Sequence, residues 1–374
     1  MPNIVRQGER PDIFLAAPGV STDNKKRSRS RSNIPNPDLL ALLFAEPRVN
    51  VFITVIICTR NRADSLRQTL EALLCSSNLA ATDWEVLVVE NADRASGVCS
   101  EFQQRFPNHF RFLTEPKVGK SNALNTAIRA AKGDVLAFTD DDVLCEPHYI
   151  QAIQTVFGSN LADAAQGRVL LDCEGGWPEW LGRGNLAMMA NFRDYGDQII
   201  NLDGTLCGAN MVVRSEVFEK VGAFAPELGP GGLGMWEDTE ISLRIREAGF
   251  RIIYAPQILM HHPWSRRRLT KAFLRSRYFG EGRAQGYYTP LPVPLWRFGL
   301  YVIKETIVQE CAAIWNLCAG RPEKALACQC AARSQAGLFW QHWLFKRGVR
   351  RELSSAYCHR LASSRDFKGS KQHV

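Results

Sequence analysis

The sequence predicts an α/β fold in which a mostly parallel sheet is flanked by helices. Residues 51–59 form a nearly all-apolar, β-branched run that is typical of a buried strand. Residues 84–89 and 135–138 are two further apolar runs, and leucines at helical spacing separate the first two runs. Strands that alternate with helices of about 10–15 residues build parallel sheets with right-handed crossovers.

The other elements follow in chain order. Asn61 can cap the first helix, in which Leu66, Leu70, Leu73 and Leu74 share one face. Residues 165–205 are predicted to be loops and short strands, because glycines and tryptophans interrupt any periodicity there. The remaining predicted elements are a strand at 110–113, helices at 122–132, 148–158 and 215–221, a strand at 208–213, a glycine-rich loop at 229–234, a helix from 236 and a last strand at 251–260.

The two ends of the chain differ from this central region. Residues 1–48 are polar and contain a Lys-Arg-rich run, so we predict a disordered basic tail, with a short apolar patch at 39–44 docking as a helix. Residues 49–264 are predicted to form the main domain, and 265–374 a C-terminal helical extension. Within it, the amphipathic residues 295–318 fit two interpretations: a helix packed on its own domain, or contact with a membrane surface.

Composition limits the class of protein. The chain has 374 residues, of which 45% are hydrophobic and 22% charged, as in globular proteins. Its net charge of +8 suits acidic partners such as nucleotide phosphates or anionic lipid head groups. No nucleic-acid-binding motif is present, so nucleic acid is not an expected partner. Eleven cysteines without a CxxC pair predict reduced thiols in the cytoplasm, and no apolar run is long enough for a simple membrane span.

Three consecutive carboxylates, Asp140, Asp141 and Asp142, follow the strand at 135–138. Adjacent carboxylates repel one another, and a hard divalent cation among them lowers that cost. In an extended chain Asp140 and Asp142 would point to the same side and Asp141 away. The carboxyl edge of an open α/β sheet is where such folds bind ligands, so we predict a cation site there. The alternative is a solvated acidic turn before a helix.

Five motifs in order along residues 52–286 resemble family 2 glycosyltransferases of the GT-A fold, which has a Rossmann-like sheet. They are Cys-Thr-Arg-Asn-Arg at 58–62, Glu-Asn at 90–91, Val-Gly-Lys-Ser-Asn-Ala-Leu-Asn at 118–125, the three aspartates at 140–142, and Glu-Asp at 237–238. The resemblance implies inverting transfer of one sugar from a nucleotide-sugar donor, with UDP or GDP as the carrier. The Gln-x-x-Arg-Trp signature of processive synthases is missing, which favours a single addition.

The resemblance also implies roles for individual residues. Asp238 would be the base that deprotonates the acceptor hydroxyl, and Glu237 would orient the acceptor. Asp142 would bind Mn²⁺ or Mg²⁺, with His262 nearby rather than His261. The donor-binding residues would be Thr59, Arg60, Arg62, Glu90, Lys120, Asn122, Asp140 and Asp141.

Each role has an alternative in the residues alone. Glu237 and Asp238 are also what the first turn of a surface helix prefers, and a histidine after a strand is often a core or surface residue. Rival functions are a nucleotidyltransferase acting on sugar phosphates and an inactive sugar-nucleotide-binding protein. A nucleotidyltransferase needs a basic, glycine-rich loop directly after the first strand, and residues 59–62 do not form one.

The sequence therefore predicts a cytoplasmic, metal-dependent glycosyltransferase in cell-surface polysaccharide or glycolipid biosynthesis. Its acceptor would be a saccharide or a lipid-linked molecule. The C-terminal helices would provide any peripheral contact with the inner face of the plasma membrane.

Overall fold

The computed structural model of the chain describes residues 49–76, 83–92, 96–173, 176–178, 180–181, 185, 188, 191–264, 268–289, 291 and 293–347. The predicted tail at 1–48, its apolar patch at 39–44 and the end of the predicted extension beyond 347 lie outside these residues.

The described strands join in one sheet in the order β3-β2-β1-β4-β8-β6-β9-β5, with β7 paired to β9. The first four strands are parallel, β8 runs antiparallel to both β4 and β6, and β6 is parallel to β9. The strands are β1 (Ile53–Thr59), β2 (Trp84–Glu90), β3 (Phe110–Thr114), β4 (Val135–Thr139), β5 (Leu144–Cys145), β6 (Ala164–Asp172), β7 (Ile200–Asn201), β8 (Asn210–Arg214) and β9 (Ile252–Pro263).

Helices cover both faces of the sheet and continue beyond it. They are α1 (Ala63–Ser76), α2 (Gly97–Arg105), α3 (Lys120–Ala130), α4 (Tyr149–Gly158), α5 (Ser215–Val221), α6 (Glu237–Glu247), α7 (Lys271–Tyr288), α8 (Leu295–Cys318) and α9 (Pro322–Lys346). The predicted α/β fold with a C-terminal helical region is thereby confirmed. None of the described helices is both long and apolar enough to cross a bilayer.

The alternation of side chains along β1 divides the core into two layers. Val55 and Ile57 pack with helices α1, α2 and α4 on one face of the sheet, where Leu66 is fully buried. Ile56 points to the other face, where Phe138 and residues of α3, α5 and α6 surround it. Each fully buried side chain of this kind stabilises the fold by about 1.5–3 kcal/mol. The two layers hold the carboxyl ends of β1, β2 and β4 at one edge.

Strand β6 is longer than the sequence pattern suggests, and it carries an irregularity. Its register with β9 shifts between Gly167 and Arg168. The Asn210 side chain fills that place and donates to the carbonyls of Arg168 (3.0 Å) and Ile258 (2.8 Å). A Cβ on Gly167 would lie 2.2 Å from Asn210 Nδ2, so only glycine fits there. The predicted loop region at 165–205 therefore begins with a nine-residue strand.

The three C-terminal helices pack in series, with α9 contacting both α7 and α8. Gly282 of α7 and Gly337 of α9 lie where these helices cross. A Cβ on Gly282 would lie 1.8 Å from a carbonyl oxygen of α9, and a Cβ on Gly337 would lie 2.1 Å from a carbonyl oxygen of α7. Leu274 of α7 and Leu326 of α9 share an apolar cluster with Trp264, which directly follows β9. The boundary predicted at 264 thus lies within a packed cluster.

Candidate active site

Polar side chains meet at the carboxyl edge of β1 and β4. Thr59 is the last residue of β1 and lies opposite Glu90, the last residue of β2. Because β4 ends two residues before Asp141, that aspartate comes alongside Thr59, whose Oγ1 donates to Asp141 Oδ2 at 2.5 Å. The edge that the sequence singled out is therefore a real cluster of buried and half-buried polar groups.

The aspartates do not alternate as an extended chain would require, and that prediction was wrong. Strand β4 ends at Thr139 and the chain turns at Asp141–Asp142. As a result Asp141 and Asp142 both face Arg62, whose Nη1 and Nη2 donate to them at 2.5 Å each. Asp140 faces a different cation, Lys120. Arg62, predicted to meet the donor, is thus also the clamp that holds two carboxylates side by side.

Lys120 connects the two acidic motifs. It opens α3, and its Nζ lies 2.6 Å from Asp140 Oδ1 and 3.5 Å from Glu237 Oε1. Burial opposes the charge on this ammonium, but Asp140 and Glu237 together hold the pKa of Lys120 well above its ordinary value. A fixed positive charge therefore lies between carboxylates that are 97 residues apart in the sequence, Asp140 and Glu237.

Asp238 is held in position by backbone donors. Its Oδ2 accepts from the Gly208 N–H at 3.0 Å and its Oδ1 from its neighbour Thr239 N–H at 2.7 Å. Both Glu237 and Asp238 lie in the first turn of α6, where the helix dipole stabilises negative charge. Two backbone N–H groups thus keep the half-buried Asp238 carboxylate oriented, as a proton acceptor needs.

The glycine-rich loop before α6 is fastened to the start of α3. Lys120 N donates to Pro230 O at 2.8 Å, and Ser121 Oγ donates to Leu228 O at 2.9 Å. Gly231, with φ +92°, approaches so closely that a Cβ there would lie 2.7 Å from Gly119 Cα. The loop forms one wall of the site.

Burial raises the pKa of Glu237 to about 7, with Lys120 lowering it and Asp238 raising it further. In the unfolded chain a glutamate titrates near 4.3, so between these pH values the folded state holds a proton that the unfolded state has lost. Stability contributed by this carboxyl is therefore present at acid pH and lost as the pH rises through about 7.

Glu237→Gln should consequently stabilise the protein by about 1–3 kcal/mol more at pH 8 than at pH 5, because glutamine removes the cost of a buried negative charge. Thermal unfolding of both proteins at the two pH values measures this difference. A melting-point difference between them that stays the same at both pH values would show that Glu237 titrates normally.

The possible cation site centres on Asp142. His262 Nε2 lies 3.5 Å from Asp142 Oδ1, while Arg62 and Arg268 face the other oxygen, Oδ2, at 2.5 and 3.5 Å. Burial of Asp142 would raise its pKa, but the His262 imidazole and the Arg62 guanidinium hold that pKa well below its usual range. Two ligands of one octahedral ion lie about 3 Å apart, so Asp142 Oδ1 and His262 Nε2 fit a shared cation.

Protein ligands alone would not complete such a site. Within the described part of the chain, no three His, Cys, Asp or Glu side chains converge as a metal cage. Mg²⁺-type sites commonly use one or two protein ligands and substrate phosphates for the rest. His261 does not take part, since its ring nitrogens lie 3.0 Å from Asp172 and 3.0 Å from Glu146. Of the two histidines it is His262 that contacts Asp142, as the sequence interpretation favoured.

Three predicted donor-binding residues lie outside this cluster of contacts. Arg60 is exposed in the turn after β1. Glu90 is buried, and its Oε2 accepts from the Ser96 N–H at the start of α2. Asn122 donates to Val118 O at 2.9 Å, within its own loop and helix start. Their roles toward a donor stay predictions.

Sequence reasoning missed several groups that the fold brings to the site. The Gly208 N–H comes from a segment that carries no motif of its own, and no role was predicted for Arg268. Asn91 was seen only as part of a Glu-Asn pair, yet its side chain accepts from Gly119 N (2.7 Å) and donates to Lys117 O (2.8 Å). A buried, bifunctional amide directly after a strand was the one available signal for Asn91.

Comparison with known proteins shows which proteins this chain is similar to. Residues 54–222 match the family model described as glycosyl transferase family 2. Glycosyltransferase AglE of Haloferax volcanii is 27% identical over 221 residues, covering 57% of this chain and 67% of that protein. Glucosyl-dolichyl phosphate glucuronosyltransferase of the same organism is 23% identical over 243 residues, covering 62% and 75%.

Among solved structures, the mannosyltransferase PcManGT of Pyrobaculum calidifontis, in complex with GDP-Man and Mn²⁺, superimposes with a TM-score of 0.47 at 18% identity. That superposition covers 87% of this chain and 89% of the other. On the family match and the relatives, residues 54–222 of this chain are similar to a glycosyl transferase family 2 domain.

Proposed function

We propose that this protein is a metal-dependent, inverting glycosyltransferase that moves one sugar from a nucleotide-sugar donor to an acceptor hydroxyl. One observation carries the proposal. The carboxylates of Asp140–Asp142 and of Glu237–Asp238 converge at the carboxyl edge of the sheet, with Lys120 between them. The first group suits a diphosphate and its cation, and the second supplies a base.

In the proposed reaction Asp238 takes the proton from the acceptor hydroxyl as its oxygen attacks the anomeric carbon. The bond from that carbon to the diphosphate oxygen breaks with inversion, and the nucleoside diphosphate leaves with the electron pair. The Gly208 and Thr239 N–H groups keep the Asp238 carboxylate aimed during this step. Glu237, buried beside Lys120, orients the acceptor.

The departing diphosphate needs positive charge around it. We propose that Asp142 and His262 hold Mn²⁺ or Mg²⁺, which would neutralise the leaving group as a Lewis acid. Arg62 and Arg268, both within 3.5 Å of Asp142, and Lys120 are the protein cations near the same place. Thr59, Arg60, Glu90, Asn122 and the Asp140–Asp141 pair would bind the base, ribose and phosphates of a UDP- or GDP-sugar.

The biological setting is part of the same proposal. The acceptor would be a saccharide or lipid-linked hydroxyl in cell-surface polysaccharide or glycolipid biosynthesis. Nine of the cysteines within the described residues are free thiols, which supports a reducing compartment such as the cytoplasm.

A panel of nucleotide sugars with Mn²⁺ tests the proposal by thermal shift and then by product analysis. A donor present at about 100 times its Kd should stabilise the protein by about 2.7 kcal/mol, and the effect should fall when EDTA replaces Mn²⁺. Slow hydrolysis should release a nucleoside diphosphate.

Other outcomes separate the rival functions. Pyrophosphate release from a nucleoside triphosphate and a sugar phosphate would indicate a nucleotidyltransferase. Stabilisation without any turnover, in the presence of candidate acceptors, would indicate an inactive binding protein. If no sugar nucleotide stabilises the protein, the proposed function is wrong.

A further inference from the structure

Helix α8 exposes a broad apolar surface. Trp296 and Trp315, near its two ends, are 62% and 70% exposed, and large aliphatic side chains lie between them. We call this surface the α8 face; its exposed apolar members are Trp296, Leu300, Tyr301, Ile303, Ile307, Val308, Ile314, Trp315 and Leu317. Exposed apolar patches of this kind mark places where a protein meets another apolar surface.

The opposite side of α8 already has a partner. Phe298 and Val302 are buried against Leu338 of α9, and Ala313 is fully buried. The α8 face is therefore not the side of the helix that packs inside the protein, because other residues of α8 make those contacts. A second apolar partner is needed on the outside.

The exposed charges around the α8 face have one sign, and the one acidic residue inside its arc, Glu310, is half-buried. Between Leu291 and Arg347, each described charged residue that is exposed is basic, whereas Glu305, Glu310 and Glu323 are half-buried. The exposed basic residues are Arg297, Lys304, Arg321, Lys324, Arg333, Lys346 and Arg347. Arg297 and Lys304 lie within the α8 face itself, where long basic side chains can reach past apolar neighbours to a polar boundary. The complementary surface is thus apolar inside and anionic outside.

The width of the α8 face decides between a bilayer and another helix. At 3.6 residues per turn, its members from Leu317 round to Tyr301 cover about 200° of the helix surface. A coiled-coil partner needs only a narrow seam of positions spaced three and four apart. A wide apolar arc with tryptophans near both ends and basic residues among them is the pattern of a helix that lies in a membrane interface.

From these observations we propose that the α8 face docks on an anionic phospholipid bilayer, with α8 lying in the plane of the membrane. The two end tryptophans, 19 residues or about 28 Å apart along the helix, would both reach the boundary between head groups and acyl chains. No helix crosses the membrane in this arrangement. The protein is held at the surface by apolar burial and by attraction between its basic side chains and the lipid head groups.

The same arrangement specifies the acceptor, and this step rests on the proposed glycosyl transfer. Tyr287 and Tyr288, which end α7, pack in one cluster with Trp236, the residue before Glu237 and Asp238. Helix α8 begins seven residues after Tyr288. A bilayer under α8 would therefore lie beside the helical layer that supports the proposed base, which suits an acceptor whose lipid anchor stays in the membrane.

Vesicle co-sedimentation of the full chain, without any donor, tests the docking. The protein should bind vesicles of phosphatidylcholine mixed with phosphatidylglycerol, and less well vesicles of phosphatidylcholine alone. Ile307→Glu combined with Ile314→Glu should weaken binding to both by at least about tenfold, since each isoleucine loses its burial. Arg297→Gln with Lys304→Gln should weaken only the binding to anionic vesicles, by about fivefold for each charge.

Val49→Glu is the matched control, because this valine is 62% exposed but lies before β1, far from α8 in the chain. It should bind vesicles like the wild type, and all variants should retain the wild-type melting behaviour and donor hydrolysis. If the wild type does not bind vesicles, or if the α8 variants bind them as well as the wild type does, the proposal is wrong. A wild-type dimer in light scattering that Ile307→Glu makes monomeric would show that a second copy covers the face instead.

Vesicle binding tests the docking and donor turnover tests the proposed function, and either can be absent without the other. A protein that hydrolyses a nucleotide sugar but does not bind vesicles keeps the proposed function and loses the docking. A protein that binds vesicles through α8 but neither binds nor hydrolyses any sugar nucleotide keeps the docking and loses the lipid-linked acceptor.

Discussion

Asp238→Asn should lower the turnover number by about 10²–10⁴-fold, the usual contribution of a positioned general base. Asparagine has nearly the same shape and can still accept from the Gly208 N–H, so the fold of the site should not change. It cannot accept the acceptor's proton. Steady-state rates at saturating donor, with donor affinity measured separately by thermal shift, test this prediction.

The donor affinity and a control variant show whether the loss of turnover is specific to Asp238. Donor affinity should remain within a few-fold of the wild type, because Asp238 is predicted to act on the acceptor. Asp203→Asn is the control, since Asp203 is an exposed aspartate outside the cluster, and it should leave turnover unchanged. Wild-type turnover in Asp238→Asn would show that another group is the base.

Asp142→Asn is the second change with a large expected effect. It removes the negative charge that faces His262, Arg62 and Arg268, so the cation should lose its main protein ligand. Mn²⁺ affinity, followed by electron paramagnetic resonance of the free ion, should fall by at least about 100-fold. Turnover should fall by about 10²–10⁴-fold, because charge on the leaving group is no longer balanced.

Asp172→Asn separates a specific effect from a general loss of charge. Asp172, the last residue of β6, lies 3.0 Å from His261, the neighbour of His262, and has no contact with Asp142 among those described. Mn²⁺ affinity and turnover should be unchanged in this variant. Equal loss in both variants would mean that the cation is not bound at Asp142, and full Mn²⁺ affinity in Asp142→Asn would contradict the site directly.

The sheet could be predicted where strands are apolar runs, and less well where they are not. Strands β1, β2 and β4 consist almost entirely of buried residues on both faces, so the composition alone identifies them. Strand β6 contains Gly167 and Arg168 at its register shift, and no local pattern shows that Asn210 will fill the gap. The end of β9 is polar because its histidines face carboxylates from distant elements.

The candidate site, too, could be predicted from the sequence only in part. Motif residues such as Asp140 and Asp238 are identified by type and order, and the structure brings them to one edge. Their directions are not local properties. Arg62 turns Asp141 and Asp142 to the same side only because β4 stops at Thr139, and Arg268 arrives from beyond β9. Tertiary contacts of this kind leave no spacing in the sequence.

The contact between Gly119 and Gly231 also bears on the timing of the catalytic cycle. A glycine-rich segment beside a donor site is commonly a gate whose opening limits product release. Here the segment is tied down by Pro230 O and Leu228 O, and its backbone rests directly on the loop before α3. To swing outward it would have to break both hydrogen bonds and separate two backbones already in contact. We therefore expect outward movement of this segment to cost at least these two hydrogen bonds, or about 1–3 kcal/mol, so that the closed position predominates in the free protein.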